Sequence, residues 1–170
     1  MTDKRRSLAL ILSATLFTAF PLLAGNLDSA PFVLKSPGRG WIMDSSIPVK
    51  AGDDSPVLGV LMNMDMSLKA MVRKVHLEPF HGTFNQLQAE SNRMMALDPA
   101  NKIIAAREDT FAGNKAQFLA LEVTKDGITT YQESFSMLVG DAVWVIVFFA
   151  PREQRELVKR MYAAFSPKKS

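Results

Sequence analysis

Met62, Met64 and Met66 stand at alternate positions in the stretch VLMNMDMSL, residues 60–68. Thioether sulfur is a soft ligand that Cu(I) and Ag(I) accept, and imidazole joins it readily. Three methionines on one strand face, with Trp41, Met71 and His76 near, would suit such an ion. Methionine also fills irregular gaps in a core and lends adaptability to a binding surface without any metal. Leu58 and Val60 continue the same alternation, so a half-buried strand face opposite Gly59, Leu61, Asn63 and Asp65 is the simpler reading. Two expectations follow. Trp41, Met62, Met64 and Met66 line a surface for a protein partner; the alternative is a Cu(I) or Ag(I) metallochaperone using Met62, Met64, Met66 and His76.

Other chemistry is hard to assemble. The chain has no cysteine and two histidines, His76 and His81. Nucleophilic catalysis would draw on a G-x-S-x-G elbow or a Cys–His pair, and neither occurs. HLEPFH offers His76, Glu78 and His81 as zinc ligands, but Pro79 works against their convergence. Glu108-Asp109 and Asp53-Asp54 are adjacent in sequence, so on a strand each pair points to opposite faces rather than at one substrate. Arg73, Lys74 and Arg93 are candidates for a small anion patch, with scattered solvated charges as the default. SPGRG lacks the spacing and the helix of a nucleotide-phosphate loop. No catalytic residue, no cofactor and no enzymatic activity are expected.

These residues need elements to hold them. FVLK starts a strand, SPGRG turns, and WIMDSSIPVK is extended again. AGDDSP has the composition of a loop. VLGVLMNMD and LKAMVRKVHLEPF read as two strands, the second with Met71, Val75 and Leu77 opposing Arg73 and Lys74. Thr83 and Gln86 have the spacing of a capping box. It opens a helix whose stripe is Phe84, Leu87, Ser91, Met94 and Met95, ended by Pro99. KIIAARED and KAQFLALEVTK flank the tight TFAGN, and Asp126-Gly127 is a two-residue hairpin turn before ITTYQESFSML. AVWVIVFF is apolar on both faces and should be a central strand. Pro151 suits the first position of a last helix with Leu157, Val158, Met161, Tyr162 and Phe165 buried. Runs of strands with isolated helices indicate an α+β fold, a mostly antiparallel twisted sheet flanked by helices.

The chain of 170 residues has room for one domain. Of its 20 basic and 17 acidic residues, three and one lie within the first six positions, leaving 17 and 16 beyond them. So even a balance lacks the concentrated basic face that nucleic acid requires. Lys4-Arg5-Arg6 followed by SLALILSATLFTAFPLLA has the build of a secretory signal peptide over 1–25, cut after Ala24 or Gly25. An uncleaved membrane anchor is the alternative, against which Ser13, Thr15, Thr18 and Pro21 weigh. The expected order is a linker over 26–31, a single domain over 32–166 and a solvated tail over 167–170. The processed protein is expected to be periplasmic or secreted, without stable membrane insertion.

The strand before SPGRGW, the paired strands, the mid-chain helix and the segment TFAGNKAQFLALEVTKDGITTYQESF come in a familiar order. With the apolar strand and a last helix ending near AAF, they resemble the PsbP/DcrB-like superfamily over roughly residues 32–165. The resemblance implies an α/β/α sandwich and a binding or assembly role. Relatives support photosystem II in the thylakoid lumen, occupy the periplasm or act as chaperones for secreted toxins. It also implies a protein partner in the cell envelope. The metal-retention motif of the photosystem relatives has no match here.

Overall fold

The computed structural model describes residues 27–168 apart from 50, 51, 54 and 77–81. The expected signal peptide over 1–25 lies outside the described residues, as do Asp54, Leu77, Glu78 and His81 and the side chain of His76.

Nine strands are present among the described residues: β1 (Phe32–Leu34), β2 (Trp41–Asp44), β3 (Val57–Asn63), β4 (Lys69–His76), β5 (Asn101–Phe111), β6 (Asn114–Lys125), β7 (Ile128–Val139), β8 (Ala142–Pro151) and β9 (Phe165–Pro167). β2 to β8 form one antiparallel sheet in the order β2-β3-β4-β8-β7-β6-β5. β1 pairs only with β9, Val33 opposite Ser166. The meander from β5 to β8 follows the sequence reading. At the β6–β7 turn Asp126 and Gly127 both have positive φ, 54° and 77°. That backbone matches the twist of the flanking strands and favours glycine at its second position. AVWVIVFF is the middle strand of the seven, as its two apolar faces require.

A helix flanks each face. On one side α1 (Phe84–Leu97) starts at the expected capping box: the Gln86 amide donates to Thr83 Oγ1 and the Thr83 amide to Gln86 Oε1 at 2.8 Å. On the other side lies α2 (Val158–Tyr162), with the 3-10 turn Arg152–Leu157 before it. The architecture is the expected α+β sandwich.

The core sits between the sheet and the α2 side. Ile146, Phe148 and Met137 are fully buried there with Val158 and Met161. Phe111 stacks on Phe135 at 4.3 Å, and Tyr162 and Phe165 meet Phe148 at 4.9 and 5.6 Å between ring centres. Aromatic pairs in this range add to the gain from burial.

Four expectations need correction. The last helix is a 3-10 turn followed by five α-helical residues, because Pro151 completes β8 before the chain bends. The tail starts later than expected, since Pro167 belongs to the β1 ladder opposite Phe32. The linker is not free either: Leu27–Ser29 is a 3-10 turn and Ala30 is buried. The alternation through the methionines also breaks. A bulge between Val57 and Gly59 shifts the register, so Leu58 and Leu61 both enter the core. Val60 and Met62 then point to the other face, and β3 ends at Asn63, before Met64 and Met66.

Candidate functional site

The face away from α2 is the open one, and its side chains follow from the ladder. One cross-strand row runs Val60, Met71, Val147, Ser134, Leu119 and Ala106. The next holds Met62, Lys69, Phe149, Gln132 and Leu121. On the other side lie Arg73, Val145, Ser136 and Gln117. The sequence reading set Arg73 against Met71 and Val75, but strict alternation puts all three on this face. Ala70 and Val72 are the core-facing residues of β4, each 1% exposed.

On this face α1 packs on β5 and β6, and among the described residues no helix lies over β7, β8 and β4 there. Polar contacts hold it near its ends. Asn85 Nδ2 donates to Glu108 Oε1 and Gln117 Nε2 to Asn85 Oδ1, each at 3.0 Å. Asn101 Nδ2 caps the Met95 carbonyl at 3.0 Å. None of its residues is buried. Leu87, Ser91 and Met95 look across a groove of about 490 Å³ to a floor of Met71, Val145, Val147 and Phe149. At Met71 and Phe149 the groove meets a second hollow of about 710 Å³, bordered by Met66 and Ile128.

Of the sequence-predicted residues, Trp41, Met62, Met64 and Met66 gather at this end of the sheet but not on one face. Met62 lies opposite Ile42 on the open face. Trp41 pairs with Asn63 and packs against the core. Met64 and Met66 occupy the β3–β4 turn, with the Met64 amide bonded to the Gly40 carbonyl and the Met66 amide to that of Asn63. Met64 is 73% and Met66 70% exposed. The single strand face that motivated a Cu(I) set is therefore not formed. His76 ends β4, at the far end of that eight-residue strand from Lys69. The anion patch is also split. Lys74 crosses to the other face, over the Trp144 ring, while Arg93 pairs with Glu90 at 2.7 Å. Among the described residues no group of three His, Cys, Asp or Glu side chains is arranged to hold a metal ion.

A buried carboxyl that the sequence reading passed over lies on the covered face. Glu133 accepts from Tyr131 Oη at 2.6 Å and also accepts from Tyr162 Oη. Burial pushes its carboxyl above the ordinary range, against the opposing pull of the Tyr131 hydrogen bond and of Lys159 and Arg107. The signal was in the sequence: Tyr131, Glu133, Phe135 and Met137 alternate, placing a carboxyl in an inward row.

Solved structures share this architecture. The chain matches the solution structure of cyanobacterial PsbP (CyanoP) from Synechocystis with a TM-score of 0.54 at 13% identity, over 92% of this chain and 99% of that one. The fold is PsbP-like. A second match is LpqN, involved in cell envelope biogenesis of Mycobacterium tuberculosis, with a TM-score of 0.50 at 14% identity over 80% and 83% of the two chains. A protein of Bacteroides thetaiotaomicron matches with a TM-score of 0.52 at 12% identity over 88% of this chain and 48% of its own. At such identities the PsbP-like likeness concerns the fold alone. No family model and no curated protein matches the chain. No helix among the described residues is long and apolar enough to cross a membrane.

Proposed function

We propose that this protein is a non-enzymatic, exported binding or assembly-accessory protein of the cell envelope, acting in the periplasm or outside the cell through contact with a protein partner. One observation carries the reading. Two hairpin tips, β3–β4 and β6–β7, stand side by side and present Met64, Met66 and Ile128 to solvent, the last 69% exposed. Clustered large apolar side chains of this kind mark interaction surfaces, and methionine suits them because it repacks against different shapes. Met62 and Ile42 extend the patch over the open face, and Trp41 anchors the strand beside the Met64 turn. The likeness to an envelope-biogenesis protein and to PsbP supports the location, as does the resemblance of residues 1–25 to a secretory signal peptide.

A photo-crosslinking residue placed at Met64 or at Ile128, in cells that make the protein, tests this. Both positions are expected to capture the same protein, and Met66→Asp with Ile128→Asp should abolish capture while the circular dichroism stays unchanged. Equal capture from Asp141, at the opposite end of the sheet, would overturn the proposal.

A further inference from the structure

We infer that the groove between α1 and the open sheet face is a binding site for a long-chain fatty acid, with the tail on the valine floor and the carboxylate on Arg73. The groove adjoins the partner surface at the hairpin tips through the second hollow, but the inference does not rest on that surface's role.

The groove has the size and character of a small-molecule site. At about 490 Å³ it falls within the roughly 300–1,000 Å³ that such pockets occupy. Met71, Val143, Val145, Val147 and Phe149 make an apolar strip along its floor, edged by Gln132, Ser134 and Ser136, and one wall is α1, which turns Leu87 and Met95 toward the opening.

Charge narrows the choice of occupant. Among the described residues Arg73 is the one cationic residue lining the groove, and it has no ion-pair partner there. The one acidic lining residue among the described residues is Glu133, whose two carboxyl oxygens are bonded to Tyr131 and Tyr162 on the covered face. The site therefore offers, among the described residues, one unpaired positive charge next to Val145 and Met71, and Glu133 is the one carboxyl in its lining. From Arg73 the floor runs four residues along β4 to the level of Phe149, about 13 Å at the ordinary strand rise. It then opens past Met71 into the second hollow, so a tail longer than the groove has somewhere to go. A single acyl chain ending in a carboxylate matches this order of apolar and charged surface. A guanidinium offers that carboxylate two parallel hydrogen bonds.

The test is displacement of a dansyl-labelled fatty acid from the protein as the cell processes it, by palmitate, methyl palmitate and hexadecylamine. Palmitate should displace the probe at a single saturable site. The ester and the amine should be weaker by about tenfold or more, the worth of a charge-assisted hydrogen bond. Arg73→Gln should bring palmitate down to the level of the ester and leave the ester unchanged. Lys69→Gln, on the same face but in the second hollow, should change neither. Absence of saturable displacement, equal affinity of acid and ester, or a loss caused by Lys69→Gln rather than Arg73→Gln would overturn the inference. So would binding of an acidic amphipathic peptide in place of palmitate, or a dimer in sedimentation that closes the face.

Discussion

Glu133 sits in an inward row of β7 between Phe148 on β8 and Ala120 on β6. Two tyrosine hydroxyls are its direct hydrogen-bond donors, and one of them, Tyr162, comes from α2. Its folded-state carboxyl titrates above the ordinary value of 4.5, chiefly through desolvation. The folded protein then holds a proton that the unfolded chain has already released. Stability from this group is present below the ordinary value and is lost as pH rises toward the folded-state value. Glu133→Gln removes that titration. The variant's melting temperature minus that of the parent should therefore be more positive at about pH 7.5 than at about pH 4.5. A difference that stays flat across that interval would show that Glu133 does not titrate in it. Glu122, buried a strand away, shows the other way of housing a carboxylate, with Arg152 Nε at 2.9 Å.

Among the elements, α1 was the most legible in its start and the least in its packing. Thr83 and Gln86 announce the capping box because cap chemistry is local and depends on spacing alone. Thr83→Ala should cost the helix about 1 kcal/mol. Hydrogen exchange should then speed up in the first turn of α1 while β8 stays protected. The stripe of Phe84, Leu87, Ser91, Met94 and Met95 correctly marked a helix, but its depth of burial could not be read from it. Met94 is 57% exposed, and Leu87 and Met95 face a groove. Periodicity reports which side chains share a face and says nothing of how closely that face is met. The methionine stretch misled for a different reason. One extra residue at the β3 bulge reverses every later side chain of the strand, and a period-two pattern contains no mark of it. Gly59 hints at the irregularity: a Cβ there would lie 3.1 Å from Leu27 Cδ1.

For the whole molecule the order of elements was readable, since hairpin turns and a doubly apolar strand constrain an antiparallel meander strongly. Which side would be left open was not, because both faces of β8 are equally apolar and only the placement of two helices decides between them. The β1–β9 pair was also missed, since three-residue strands leave no periodic trace. Its weight in the fold comes from Phe165, buried against Phe32, Phe111 and Phe148. Phe165→Ala should cost about 3–5 kcal/mol, as large aromatic truncations in cores do. A single cooperative melt at a lower temperature is the expected result, and an unchanged melting temperature would mean that the pair merely rests on the core.

That small ladder also joins the two ends of the described chain. Phe32 faces Pro167, and Lys168 Nζ bonds the Asp28 carbonyl. Because the strands are antiparallel, a pull applied through both ends loads the ladder from one side, and its hydrogen bonds break in succession rather than together. Under tension the molecule would unzip at this clasp first, giving up slack while the seven-stranded sheet and the surface it carries stay intact.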